Sequence, residues 1–420
     1  MEYSLSSSLV GGSGSINPDA LSLDLQFATD KTLTARRGPT PVFTRASTGT
    51  FVGSNGLVQS AAINVARFDH DTSYVGSSVY VTSSNAAGNT GLQLPSQRVY
   101  FSGIEGNGYP EFISDIYYIS FSSGQWILDG DGGNFQAHAN TILSDEYVTD
   151  VGTGFVTVVL TLACKGLLIE EQRSNLVFPS EALTTQTRTV TAVAHALSFY
   201  GTGTIVLSGA HIATVTGTGA FPTRTTLTFT PSAGSLILTV TGTVTQAQLE
   251  VGSFATSYIP TVDSSLTRSA DVCSISGANF TGFAKQGEGS VVVHGDSYQG
   301  TTPSFCQFSN DANGARSFTF LRNVSTGALE YNDSGSGMVT VSASPSFPVK
   351  FGAGRNQAGG VGTFYNGTSG AGSVFTTNGA QTKMLIGNSA VGSYLNGCIR
   401  SIKHYKKRLS AAKMQALTAP

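Results

Sequence analysis

The chain has 420 residues, 23 Lys and Arg against 25 Asp and Glu, a net charge of −2, and only 11% charged residues, where a soluble domain averages about 25%. That length asks for two to four domains of roughly 100–200 residues. No dense Lys/Arg stripe is present to displace counterions, which excludes nucleic acid as the main partner. No stretch nears the roughly 18 apolar residues of a membrane-spanning helix, so no membrane insertion is expected.

Glycine occurs 50 times, Ser and Thr crowd almost every segment, and the Glu/Lys/Gln/Ala inventory that fills helix surfaces is missing. Thr, Val, Tyr and Phe at alternating positions, punctuated by Gly and Asn, describe strands and turns. The fold expected is all-β, built from tandem β-sandwich modules. A Ser/Thr/Gly coat is typical of proteins that work outside a cell. Met1–Gly14 nevertheless lacks the basic and apolar regions of a secretion leader. Cys164, Cys273, Cys306 and Cys398 are far apart and show no CxxC spacing. They are expected to be buried thiols, with a Cys306–Cys398 bridge left open.

In chain order, residues 1–19 read as a flexible arm with Leu9 and Val10 as its apolar handle. The arm is either disordered or a peg that orders on docking. Ala20 to Phe27 alternates apolar and polar residues like a strand. Asn55-Gly56, flanked by strand sequence, predicts a two-residue type I′ hairpin. Residues 20–71 with 164–180 form a β framework, and 72–163 an aromatic-rich β module with paired strands around Tyr117–Phe121 and Gln125–Leu128. Residues 181–264 read as a small sandwich. Residues 265–420 offer strands at 289–294, 304–309, 316–322, 328–331, 338–343, 348–353, 361–366, 381–386 and 397–405, a count that suits a jelly roll. Ser410 is placed to cap a final helix, Ala411 to Leu417. Lys403, Lys406, Lys407 and Arg408, with His404, read as a solvated turn before it.

Several boxes are less generic. Thr44-Arg45-Ala46-Ser47, Arg67-Phe68-Asp69-His70-Asp71, Gly166 to Leu176 (GLLIEEQRSNL), Ala247-Gln248-Leu249-Glu250, Thr256-Ser257-Tyr258-Ile259-Pro260-Thr261 and Thr267-Arg268-Ser269-Ala270-Asp271 follow in order. The closing strand, Leu395 to Ile402, precedes Tyr405 and Arg408-Leu409-Ser410. This series resembles tailed-bacteriophage and prophage structural proteins that carry a carbohydrate-binding-module-like sandwich and a C-terminal concanavalin A/laminin-G-like domain. In that family the second and third boxes lie close together, so 72–163 looks inserted. The resemblance implies a concanavalin A-like jelly roll at the C-terminus. It also implies a virion surface protein, a tail or capsid-attached fibre, that partners other virion proteins, forms a trimer by analogy with fibres, meets host-surface glycans and has no catalytic residues. Two alternatives stay open: a tailspike-type polysaccharide depolymerase, and an architectural capsid decoration.

For catalysis, a glycosidase needs two carboxylates flanking the scissile bond. No alternating acidic strand occurs in 265–420, and Glu288 and Asp296 stand alone in sequence, so no enzyme is expected. Asp69-His70-Asp71 reads as a strand-end turn rather than a metal or base site. Asp129/Asp131 start like a Ca²⁺ loop but lack the bidentate Glu, so no cofactor or metal is expected. Glu170-Glu171-Gln172-Arg173 reads as a salt-bridged staple between strands. For glycan binding, the aromatic, amide and charged candidates in or beside predicted loops are Tyr298, Asn310, Asp311, Asn313, Tyr331, Arg355, Tyr365 and Asn366.

Overall fold

Strand alternation puts every second side chain on one face, and two large antiparallel sheets use it to build one core. The computed structural model describes residues 21–72, 162–297, 303–310, 316–323, 325–333, 337–375, 380–390 and 392–420, together with strands between 78 and 160. An eight-stranded sheet runs Thr368–Val374, Gly360–Tyr365, Val349–Arg355, Gly289–Gly295, Gly397–Tyr405, Cys164–Ile169 and Phe68–His70, with Leu21–Leu25 also paired to Gly397–Tyr405. A seven-stranded sheet runs Val42–Thr44, Val272–Ser276, Lys383–Ile386, Ser304–Ser309, Arg316–Arg322, Leu329–Asp333 and Gly337–Ser342. Val291, Val293, Phe351 and Ile399 from the first sheet meet Phe308, Phe320, Tyr331 and Ile386 from the second in one buried cluster. Residues 21–71 and 164–169 thus share sheets with the C-terminal part of the chain.

Between these segments, Gln186–Val190, Gly234–Thr241, Thr204–Gly209 and Ala213–Thr216 form one sheet, and Thr225–Phe229, His195–Tyr200 and Thr245–Val251 a second. Ile205, Leu207, Leu236, Leu238, Leu197 and Leu249 join them in their own core. In the 78–160 stretch, Tyr118–Ser122 pairs with Gln125–Gly130 as the sequence suggested.

The chain is predominantly β, as its composition requires. Among the described residues no helix is long and apolar enough to cross a membrane. All four cysteines are buried and none is in a disulfide, which removes the Cys306–Cys398 bridge. The final helix, Ala411–Thr418, is capped where expected, Ser410 Oγ accepting from Lys413 N. Three local readings change. The hairpin at Asn55-Gly56 is not type I′: Val52 and Val58 form its last pair, only Gly56 has positive φ, and Asn55 Oδ1 instead accepts from Leu57 N. The strand Thr368–Val374 (TSGAGSV) had no apolar alternation to reveal it; it is mostly exposed and held through its backbone at the sheet edge. The short helix Gly277–Phe283 hid in a run of small and polar residues and is fixed by its buried Phe280 and Phe283.

The parts meet on a buried ionic cluster. Arg67 donates to Asp271 Oδ2 (2.5 Å), to Ser257 Oγ (2.8 Å) and to the Thr50 carbonyl (2.7 Å), and lies 2.8 Å from Glu170. Arg45 reaches Asp271 Oδ1 (3.1 Å) and the carbonyls of Ser47, Ala61, Ala62 and Val65. Arg268 reaches the Glu171 carbonyl (2.9 Å) and sits 3.5 Å from Glu170. Glu170 also accepts from Ser257 N (2.7 Å) and Oγ (2.6 Å). The three arginines are at most 1% exposed, so the charges are screened by one another and not by water. The expected staple at Glu170 is therefore present, but Arg67 pairs with Asp271, 204 residues away, and not with its neighbours Asp69 or Asp71.

Burial opposes the charge on Glu170, yet Arg268, Arg67 and the Ser257 bonds overcome it and hold its carboxyl at about 2, down from 4.5. A carboxyl lowered on folding stabilises the fold above its unfolded value and loses that contribution as the pH falls. Denaturation followed across pH is therefore expected to show stability declining from about pH 4.5 towards pH 2. Glu170→Ala should cost roughly 3–5 kcal/mol at pH 7, the usual result of stranding a buried charge, and should flatten that acid slope. An unchanged urea midpoint in the variant would show that the cluster is not a clamp.

Candidate functional site

Three places concentrate polar chemistry. The ionic cluster is the first, and it is closed: each arginine is already matched by a carboxylate or carbonyl of the chain itself, and nothing approaching from outside could reach a donor.

The second is a cleft at one end of the space between the large sheets. Lys285 and Glu288 pair across its mouth at 2.5 Å, and Tyr331, Arg355, His404, Phe308 and Phe320 are among its walls. It offers about 20 Å³, room for a water molecule and not for a sugar ring. His404 lies 2.7 Å from Ser22 Oγ through Nδ1, and burial, with Lys406 nearby, holds its imidazole near pKa 3. It is a neutral core histidine and not a member of a basic surface cluster.

The third place is the outer face of the eight-stranded sheet. Val291, Val293, Ile399 and Ile402 point into the core, so His294 and Arg400 on the same strands face outward. Part of that face is covered by the final helix through Met414 against Val292 and Phe364. The rest carries charge. Lys165 Nζ lies 3.2 Å from Asp69 Oδ2 and 3.8 Å from Asp71 Oδ1. Arg400 lies 3.5 Å from Asp296 Oδ2. Asp69 is further tied to Val52 N at 2.7 Å, which leaves Asp71, 30% exposed, as the freer carboxylate beside Lys165. Burial pushes the Asp296 carboxyl up, Arg400 and Lys165 pull against that, and the charge of Asp71 adds to the rise. Burial, with Arg400 and Lys350 nearby, brings His294 down to about 4, so near pH 7 it carries no charge in this row.

The sheet creates this arrangement. Asp71 follows Phe68–His70, which pairs with Cys164–Ile169; that strand pairs with Gly397–Tyr405, and Gly397–Tyr405 with Gly289–Gly295, which Asp296 follows. Gly166 makes the crossing tight: its φ is +109°, and a Cβ there would sit 2.1 Å from the Ile399 carbonyl oxygen. Chemically, the row offers a carboxyl that burial raises, a second carboxylate within range of its charge, and a cation beside each, Arg400 at Asp296 and Lys165 at Asp71. Such divergent environments are how a pair of carboxylates divides acid and base roles. Among the described residues no group of three or more His, Cys, Asp or Glu side chains could hold a metal ion.

The residues singled out from sequence fall elsewhere. Tyr331 and Arg355 do come together, at the cleft, but both are buried. Tyr331 packs on Phe320 and Phe375, and Arg355 pairs with Asp333 at 2.5 Å. Tyr365 accepts from Ser346 N at 3.0 Å. Asn366 takes φ +43° in the next turn and receives Lys350 N at 3.3 Å. Asn310 is half-buried just after Ser304–Ser309. Tyr298, Asp311, Asn313, Leu9 and Val10 lie outside the described residues. Sequence reasoning set Asp296 aside as isolated, and it passed over Asp71 as part of a strand-end turn. The two are far apart in the chain, and no spacing rule could have joined them.

No family model matches the chain, and no curated protein matches it. Among solved structures, the chain is similar to Trypanosoma rangeli sialidase in complex with sialic acid, at 10% identity and a TM-score of 0.29, covering 98% of this chain and 98% of that one. It is likewise similar to Trypanosoma rangeli sialidase alone, at 10% identity and a TM-score of 0.30, covering 98% and 99%. These findings correct the expected kinship. The near-full-length structural likeness is to a parasite sialidase and not to tailed-phage fibres with carbohydrate-binding and concanavalin A-like domains. The virion role inferred from that kinship, and the reading of the chain as a non-enzyme, are withdrawn with it. What the chain does has to be argued from its own residues.

The geometry predicts how Asp296 titrates. Its carboxyl should titrate above the ordinary aspartate range, and Lys165→Met should move it higher still, because Lys165 is one of the charges that hold it down. Carbon-detected NMR of the aspartate carboxyls checks this. A downward move in the variant contradicts the arrangement.

Proposed function

We propose that this chain cleaves polysaccharide, as a glycoside hydrolase of the depolymerase kind, on the outer face of its eight-stranded sheet. The observation that carries the reading is that Asp296, a largely buried carboxyl that burial raises and Arg400 binds, lies within the charge range of Asp71, the more exposed carboxylate beside Lys165. Glycoside hydrolysis needs a carboxylic acid to protonate the leaving oxygen and a carboxylate on the other side of the bond. Asp296 takes the first role and Asp71 the second. Arg400 keeps the Asp296 side chain aimed, and Lys165 holds Asp71 against the sheet. We read the two pairs of sheets as β-sandwiches in tandem, the larger one bearing this face. The low charge and Ser/Thr/Gly coat suit a protein whose ligand is a neutral, hydroxyl-rich polymer.

Release of reducing ends from a panel of bacterial and plant polysaccharides tests the proposal. Asp296→Asn should lower kcat by about 10²–10⁴-fold, the usual range for loss of a general acid, with KM little changed. Activity of the parent should fall as the pH rises through the raised Asp296 value, and that alkaline limb should be missing from the residual activity of Asp296→Asn. Silence of the parent across the panel, or full activity in Asp296→Asn, would sink the assignment.

A further inference from the structure

An aromatic pair stands where the smaller pair of sheets meets the larger. Leu197 and Phe199 point into the smaller core, so Ser198 and Tyr200, which alternate with them on His195–Tyr200, face the other way. The loop at 254–259 ties that face to the larger sheets. Gln248 Oε1 and Glu250 Oε1 accept from Ile259 N and Thr256 N. Ser257 bonds Glu170 and Arg67, and the Tyr258 carbonyl accepts from Thr50 Oγ1. Thr50 lies on Gly49–Val52, the strand whose Val52 N donates to Asp69 Oδ1 at 2.7 Å. Arg224 braces the same loop, donating to the Thr256 carbonyl at 2.6 Å and to Ser198 Oγ at 2.7 Å. This chain of contacts sets Tyr200 at the Asp69 end of the carboxylate row. Burial raises the Tyr200 hydroxyl, Arg224 draws it down, and the charge of Asp69 adds to the rise.

Tyr200 is only 8% exposed, so it is a backing and not a platform. Phe221 is better placed. Its ring lies 5.3 Å from that of Tyr200 at 57°, and it is half-buried, with Ala220, Pro222 and Thr223 exposed around it. Its loop is pinned on both sides. Gly201 and Gly219 exchange backbone bonds of 2.6 and 3.2 Å, and Thr223 N returns to the Ala220 carbonyl at 2.9 Å. A ring so fixed is oriented before any ligand arrives. Asp296, Asp71, Arg400 and Lys165 supply charge and hydrogen bonds to a polymer, but nothing for the apolar C–H face of a pyranose. An aromatic side chain supplies that contact.

We infer that Phe221 is a sugar-stacking residue which the smaller pair of sheets supplies to the polysaccharide face, seating a neutral pyranose unit at its Asp69–Asp71 end. The inference rests on the reading of that face as a hydrolase site, and it adds a binding contact from outside the sheet that carries the carboxylates. The test is affinity electrophoresis of the full chain carrying Asp296→Asn in gels containing barley β-glucan, arabinoxylan or galactomannan, repeated with Phe221→Leu and with Phe221→Trp added. At least one polymer should retard the chain. Phe221→Leu should weaken that binding about tenfold, and Phe221→Trp should keep it. Leucine still packs on Tyr200 but has no ring face, so a contact that only fills space would survive the change. In the chain with Asp296 intact, Phe221→Leu should raise KM about tenfold and leave kcat within about twofold. Absence of retardation by all three polymers, parental affinity in Phe221→Leu, or a loss in Phe221→Trp as large as in Phe221→Leu would each overturn the assignment. The two proposals fail separately. Binding that depends on Phe221, with no cleavage by the parent, removes the hydrolase and keeps the stacking residue; cleavage with an unchanged KM in Phe221→Leu does the reverse.

Discussion

Arg67 between Asp271 and Glu170 is the contact on which the remaining architecture depends. It joins the segment before residue 72, the turn after Cys164–Ile169, the loop that closes the smaller pair of sheets, and the entry to the C-terminal strands. Arg45 and Arg268, from two of the same segments, complete it. Five charges taken out of water are tolerable only because nearly every donor meets a carboxylate or carbonyl. The effect is specificity of arrangement: a segment that strays leaves an unmatched charge behind.

A second network extends this one into the smaller core. Glu250 accepts from Gln248, Thr256 N and Thr256 Oγ1. Gln248 Oε1 accepts from Ile259 N, and Asn175 bonds Ala247, Ile259, Val177 and Leu249 at once. Burial raises Glu250, in contrast to Glu170. Arginines crowd the one, while amide and hydroxyl donors surround the other. Together the two networks fix the smaller pair of sheets against the larger, and the larger carries the face assigned to polysaccharide.

Strand placement was legible because alternation is a local property. The segments 289–294, 304–309, 316–322 and 397–405 recur within a residue or two as Gly289–Gly295, Ser304–Ser309, Arg316–Arg322 and Gly397–Tyr405. Thr368–Val374 was not legible, since an edge strand of Gly, Ser and Ala is held by backbone bonds that any sequence can supply. The boxes around Arg45, Arg67, Glu170, Gln248, Ser257 and Arg268 stood out as unusual strings, but nothing in them said that they converge. Nor did Tyr331 and Arg355, read as residues in or beside loops and fit for sugar, disclose that a core would enclose them.

Composition and periodicity alone determined that this chain is predominantly β, poor in charge, without a spanning helix among its described residues, and free of a cysteine-spacing motif. Those are properties of neighbours in sequence, where sterics and side-chain alternation act over a few residues. Tertiary structure alone decided which charges are buried together and which carboxylates share a face. These depend on pairings between strands one or two hundred residues apart, chosen by the register of whole sheets and by the demand that every buried charge find its opposite.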